Sequence, residues 1–187
     1  MTKLVDRILV FQLRSRKDPE AFAKLYDRYV QSIYRFVLLK LPSKEDAEDL
    51  TSETFLKCFR YIQEGNDVKE IRSLLYKIAR NGIADWYRAR AANPSRSLAV
   101  TFLTDETSTE ISDTGRGKAV VEARAELAVT MGKLERLKDD YRDVLTLRLV
   151  DDLPFTVIAE VMGKEVGTVR VLYHRAKKAL DALDHEA

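Results

Sequence analysis

The sequence predicts an all-α protein: two small helical domains, residues 1–91 and 119–187, joined by a flexible linker over residues 92–118. Three observations carry this. Apolar residues recur at three-four spacing through both blocks, the period of a helix with one buried face. The seven glycines and four prolines are few, and they cluster at joints between such runs. No segment of useful length shows the period-two alternation of a half-buried strand.

Taken in order, residues 5–16 form a short amphipathic helix. Asp18-Pro19 then starts a second one, with Asp18 as N-cap and Pro19 at the first helical position. Its Phe22, Leu25, Tyr26, Tyr29, Ile33, Phe36 and Val37 share one face. Pro42-Ser43 ends it, and Ser43 caps a third helix with Asp46 in the first turn. Ala47, Leu50, Thr54, Phe55, Cys58 and Phe59 lie along one side of that helix. Residues 64–67 read as a loop, and residues 69–90 as a fourth helix presenting Ile71, Leu74, Leu75, Ile78 and Ile83. Asn81-Gly82 alone resembles a hairpin turn, but the helical pattern on both sides argues against one. Periodicity fails from Ala92 to Lys118, where Ser, Thr, Asp, Glu and Gly dominate around an apolar island of Leu98, Val100, Phe102 and Leu103.

Composition narrows the function classes. With 32 basic against 30 acidic residues the net charge is only +2, so any nucleic-acid footprint must be local. The single Cys58 excludes an intramolecular disulfide and fits a buried helical position. With only His174 and His185 available, no metal site is expected. No phosphate-binding glycine loop or H-E-x-x-H motif occurs, so neither an enzyme nor a cofactor is expected. No run reaches membrane-spanning length and no signal peptide is visible, so the expected location is cytoplasmic.

The segment from Leu153 to Leu180 is the most informative. Residues 151–154, Asp-Asp-Leu-Pro, break the helix carrying Leu145, Leu147 and Leu149. A short helix over residues 155–162 follows, and Gly163 supplies a left-handed turn residue. On the next helix Val169, Tyr173, Ala176 and Leu180 recur toward a core. The opposite side carries Arg170, Val171, His174, Arg175 and Lys178, with Lys177 flanking. Two helices joined by a glycine turn, the second with a basic face, form a helix-turn-helix that lays one helix in the major groove. Arginine suits phosphate and guanine edges because its planar fork makes paired hydrogen bonds.

These residues carry a resemblance. EVGTVRVLYHRAKKAL, residues 165–180, resembles the terminal helix-turn-helix (region 4) of bacterial RNA polymerase sigma factors of the extracytoplasmic-function (ECF) group in the sigma-70 family. AEDLTSETFLKCFR, residues 47–60, resembles the segment with which such factors bind core polymerase. LLYKIARNGIADWYRAR, residues 74–90, resembles the region 2 helix that meets the promoter's −10 element. Three blocks in family order are far more specific than a lone helix-turn-helix.

The resemblance implies a promoter-specificity subunit, monomeric when free, not inserted in a membrane, and open to control by an anti-sigma factor. Its partners would be promoter DNA and core RNA polymerase, through the β′ clamp helices and the β flap. Asp49, Glu53, Phe55 and Lys57 would dock on the polymerase; the alternatives are Phe55 as plain core and the charges as ordinary intrahelical pairs. Lys77, Arg80, Asn81, Asp85, Arg88 and Arg90 would meet the −10 element, where basic groups track phosphates and amides or aromatics receive unstacked bases. Residues 63–72 would supply a pocket for an extruded base. Trp86 and Tyr87 read either as stacking groups or as core aromatics, with core favoured for Trp86. Thr168, Arg170, Val171, His174, Arg175 and Lys178 would face the −35 element, with Thr156 and Lys164 on phosphates. The linker carboxylates Asp105, Glu106, Glu110 and Asp113 suit a path that mimics nucleic acid, or a plain disordered tether. Three positions depart from the family pattern: Leu172 stands at an often basic position, Val157 at an acidic one and Ser52 at a common glutamine. The rival readings are a stand-alone dimeric helix-turn-helix regulator and a helical adaptor without a DNA role.

Overall fold

A computed structural model describes residues 2–92, 132–134 and 136–185. The linker island and its acidic patch lie outside the described residues.

The first unit is a four-helix bundle: α1 (Thr2–Arg16), α2 (Pro19–Leu38), α3 (Lys44–Gln63) and α4 (Ile71–Ala92). Two of its helices, α2 and α3, begin where a side chain satisfies one of their first N–H groups. Lys17 turns the chain in the left-handed region (φ 51°). The Glu20 N–H then donates to Asp18 Oδ1 at 2.9 Å. At α3, the Asp46 N–H donates to Ser43 Oγ at 3.1 Å, and the Ser43 hydroxyl donates back to Asp46 Oδ2 at 2.7 Å. Both predicted caps are present.

The core follows the predicted stripes. Ile33, Phe36, Val37, Ile62, Leu75 and Tyr76 are fully enclosed. The Phe36 and Tyr76 rings meet edge-on at 5.3 Å, an arrangement their quadrupoles favour. Cys58 is buried there as expected, and burial pushes its thiol up to about 12, far from the reactive range. Helix α1 starts three residues before the predicted boundary and is fixed to α2 by a polar contact that periodicity does not reveal. Asp6 is buried, takes a hydrogen bond from the Tyr29 hydroxyl at 2.6 Å, and pairs with Arg28. Asn81-Gly82 lies within α4, not in a turn. A Cβ on Gly82 would stand 2.6 Å from Leu50 Cδ1, so glycine permits the close approach of α4 to α3.

The second unit contains α5 (Asp139–Leu145), a π turn (Thr146–Val150), α6 (Phe155–Met162) and α7 (Val166–His185). Val144, Leu145, Leu147, Leu153, Ile158, Val169 and Ala176 form its core. The sequence grouped Leu149 with Leu145 and Leu147 on a regular helix. Here Leu149 is 57% exposed. The wider π turn, closed by the Asp151 N–H on the Thr146 carbonyl at 3.2 Å, shifts the phase after Leu147.

The two units are in contact: α6 packs on α4, and charged side chains pair across the seam.

Asp18→Ala removes the cap of α2 and should lower stability by ~1 kcal/mol. Thermal denaturation followed by circular dichroism should show the midpoint falling by about 2–4 °C, with Asp18→Ser close to the parent.

Candidate nucleic-acid and partner surfaces

The helix-turn-helix is built as its sequence demands. Gly163 takes φ 63° and ψ 37°, and its N–H closes onto α6 carbonyls. The Lys164 N–H donates to the Ala159 carbonyl at 3.0 Å, completing the reversal. Val169 and Ala176 are sealed in the core, which turns Thr168, Arg170, Val171, His174, Arg175, Lys177 and Lys178 outward. Phe155 organises one edge of this face. Its ring packs edge-on against Tyr173 at 5.5 Å, with Arg148 at 5.2 Å and Arg170 at 6.0 Å from its centroid. Thr156 is exposed at the start of α6. Leu172 is half-buried against the core and Val157 is buried, so these two departures from the family pattern fill packing positions. Ser52 is exposed, with its hydroxyl on the Glu48 carbonyl at 3.0 Å.

Lys164, expected on a phosphate, instead has its ammonium 3.3 Å from Asp140 Oδ2. The same carboxylate meets Arg80 of α4 through Oδ1 at 3.0 Å. Arg80, expected to face the −10 element, also donates its Nε–H to Asp143 Oδ2 at 2.6 Å. It does not present a free guanidinium, because two carboxylates of the second unit hold it. The other α4 residues divide. Lys77 and Asn81 are exposed on one stripe with Arg88, which pairs with Asp85 in the turn below. Arg90 stacks over the Trp86 ring at 4.8 Å. Trp86 is half-buried and donates its indole N–H to Asp46 Oδ1 at 3.2 Å, while the Tyr87 hydroxyl donates to the Lys40 carbonyl at 2.6 Å. Both aromatics therefore serve the bundle in this arrangement. The loop before α4 borders a cleft against α1, lined by Lys3, Asp6, Arg7, Val10, Val68 and Lys69.

On α3, Asp49, Glu53 and Lys57 are exposed, and Glu53 and Lys57 pair at 2.8 Å one turn apart. Phe55 takes the core alternative. It is 3% exposed, with its ring 4.7 Å from Tyr26, and supports the core instead of a partner surface. The neighbouring Leu56 is the exposed apolar group, at 52%. The helical phase already contained that signal, because Leu56 falls between the buried positions Phe55 and Cys58 and the exposed Ser52, Glu53 and Lys57.

Sequence reasoning also missed the seam. On its first-unit side stand Arg35 and Lys40, with Arg72, Tyr76 and Arg80 at four-residue intervals along α4. Asp151 is the second anchor: Arg35 reaches its Oδ1 at 2.8 Å and Arg72 donates to its carbonyl at 2.7 Å. Burial raises the Asp151 carboxyl above its usual range, and Arg35, Tyr76 and Arg72 pull it back. Lys40 is buried against Asp143 and over the Phe36 ring at 4.5 Å. Burial, with Arg142 and Arg80 nearby, lowers its ammonium to about 7. No cluster that could hold a metal occurs among the described residues, and no described helix is long and apolar enough to cross a membrane.

Comparison with known proteins matches two family models, described as Sigma-70 region 2 over residues 25–93 and Sigma-70, region 4 over residues 130–180. The chain is 30% identical over 167 residues to the ECF RNA polymerase sigma factor SigW of Bacillus subtilis, covering 87% of this chain and 88% of that protein. It is 30% identical over 184 residues to the ECF RNA polymerase sigma-E factor of Escherichia coli K12, covering 96% and 94%. With the ECF RNA polymerase sigma factor BldN of Streptomyces coelicolor it shares 32% over 170 residues, 89% of this chain but only 61% of BldN's length. Among solved structures the fold is similar to CnrH, determined in complex with the cytosolic domain of CnrY. The TM-score is 0.73 at 24% identity, over 98% of this chain and 99% of that one.

Gly163 has open space around its α-carbon, so Gly163→Ala tests backbone strain alone. The substitution should cost about 1–2 kcal/mol, read as a lower midpoint in denaturant, with Gly163→Asn milder because asparagine tolerates this region better.

Proposed function

The chain belongs to the sigma-70 family, in its ECF group, and is an RNA polymerase sigma factor; from that premise we propose how its two units divide the work. Its relatives are sigma factors, not enzymes. We assign the first unit, residues 1–91, to core polymerase and the −10 element, and the second, residues 119–187, to the −35 element.

The observation that carries this reading is the outward face of α7. Residues packed into the core at Val169 and Ala176 fix its rotation, so Arg170, His174, Arg175 and Lys178 share one solvent face beside Val171. A helix held in that rotation on a glycine turn can enter a major groove with arginine forks on base edges and a valine methyl against thymine. On α4 the exposed stripe of Lys77, Asn81 and Arg88 offers cations for a strand backbone and an amide for an unstacked base. Asp85 and Arg90 then act as positioning groups, through Arg88 and Trp86. On α3 the exposed Asp49, Glu53 and Lys57 surround Leu56, a polar rim around an apolar centre suited to the polymerase's clamp helices. The region 4 unit would meet the β flap, and an anti-sigma factor is proposed as the controlling partner. The intracellular location follows from the same role.

A run-off assay with core polymerase on promoters selected from a random library tests the reading: transcripts no more start-specific than those of core alone would refute it. Within that assay Arg175→Ala should lower output at least fivefold, the low end of the ~1–3 kcal/mol a base-contacting arginine contributes, while the helical spectrum stays unchanged. The two neighbours on α3 should separate cleanly. Leu56→Glu should weaken core binding about tenfold, as an interface centre does, without lowering the melting midpoint. Phe55→Ala should destabilise the fold by roughly 3–5 kcal/mol, the loss expected for a buried ring.

A further inference from the structure

Helix α1 buries one side and leaves an apolar stripe on the other. Leu9 and Leu13 enter the core, and Asp6, the one carboxylate of the helix, turns inward to Arg28 and the Tyr29 hydroxyl. That rotation sends Leu4, Ile8 and Phe11 outward, within about 60° of one another around the axis. They are 66%, 50% and 60% exposed, with Val5 beside them at 41%. The other large exposed hydrophobics among the described residues are dispersed over α3, α4, the π turn and α7. The stripe is rimmed by charge of one sign. Arg7 and Arg14 lie roughly a quarter turn to one side of it and Arg16 to the other, with Lys17 at its end, and all four are exposed. With Asp6 turned inward, α1 presents no carboxylate among them.

We propose that α1 is a membrane-surface helix: Leu4, Ile8 and Phe11 enter the acyl boundary of an anionic bilayer while Arg7, Arg14, Arg16 and Lys17 stay on its lipid phosphates. The occupant must offer apolar depth at its centre and negative charge around it, and an anionic lipid surface has both. A nucleic acid satisfies the cations but leaves the stripe in water. A second copy of this chain presses two basic rims together, and like charges facing each other are repelled. A partner helix lies best in a groove, whereas this stripe is the crest of a helix whose opposite side is buried. A fluid surface conforms to a crest, and long basic side chains on its flanks reach the headgroups while their stems cover apolar surface. The helix lies on the bilayer and does not cross it, in keeping with the absence of a spanning helix among the described residues. With only four apolar side chains to insert, the attachment is reversible, and it places the factor at a lipid surface by a route separate from its promoter contacts.

The test is co-sedimentation of the full chain with vesicles, either of pure phosphatidylcholine or of an equimolar mixture with phosphatidylglycerol. Binding to the anionic vesicles should exceed that to the neutral ones at least fivefold, the effect of about one cation near a charged surface. Arg7→Gln with Arg14→Gln should weaken anionic binding by roughly 25-fold, about fivefold for each charge. Ile8→Gln with Phe11→Gln should weaken it at least tenfold, since the inserted apolar area carries the rest. Tyr61→Gln, at an exposed apolar residue of α3, is the control and should bind as the parent does. All these positions are exposed, so thermal midpoints should stay within about 2 °C of the parent. An environment-sensitive dye at Ile8→Cys, with Cys58 buried and unlabelled, should shift to the blue on anionic vesicles, which mere electrostatic adsorption does not produce. No vesicle binding, equal binding to both vesicle types, or a dye that stays in water would each overturn the proposal. So would binding that survives the Ile8 and Phe11 substitutions. Self-association of the parent that those substitutions abolish, or loss of core polymerase binding with vesicle binding intact, would assign the stripe to a second copy or to polymerase instead. No arm of the vesicle assay contains polymerase or DNA, so its failure leaves the promoter reading untouched.

Discussion

An α-helix has only 3.6 residues per turn, and α4 must divide them among three neighbours. Ile71, Leu75, Ala79 and Ile83 go into the bundle core, with Gly82 pressed against Leu50. Arg72, Tyr76 and Arg80 face the second unit. Lys77, Asn81 and Arg88 remain for solvent and for a strand of DNA. The stripes adjoin, so no residue can rotate into another role without disturbing its neighbour. Arg80 sits at the boundary and takes part in two of them. The rest of the molecule is arranged around this allocation: α2 and α3 fix the core stripe, and α5 and α6 close over the second.

What was legible in the sequence follows from the same geometry. Burial has a period, so the stripes of α2, the caps at Asp18 and Ser43, the glycine turn at Gly163 and the outward rotation of α7 could all be read directly. Phe55 and Leu56 show the limit of motif reading. A family segment marks the stretch that binds, but only the phase of the helix separates its buried residue from its exposed one. The π turn was not legible, since nothing in Thr-Leu-Arg-Leu-Val announces a wider loop, and so Leu149 was read on one helix with Leu145 and Leu147. The seam was invisible for a different reason. Arg35, Arg72, Arg80, Asp143 and Asp151 are charged residues at ordinary helical positions, and charge is most simply read as solvation until the partner across the gap is known.

The composition of the seam also bears on how the two units relate. The joint is mixed: the largely apolar α6 packs on α4 between the charged pairs, and the buried apolar residues of both units form one continuous cluster. Parting would return the carboxylates and guanidinium groups to water but would also expose apolar surface. Within the joint, burial lowers the Lys40 ammonium and raises the Asp151 carboxyl.

The π turn has a consequence for descent. One additional residue in a helix rotates all that follows by about 100°. Asp151 lies immediately after the turn and reaches Arg35 only with that offset. Loss of a single codon between Thr146 and Val150 would restore a regular helix and swing the carboxylate out of reach, with every charged residue at the seam still encoded apart from any at the deleted codon. Chain length over this short stretch, more than the identity of the ion-pairing residues, is therefore the trait by which a descendant would keep or shed the joint.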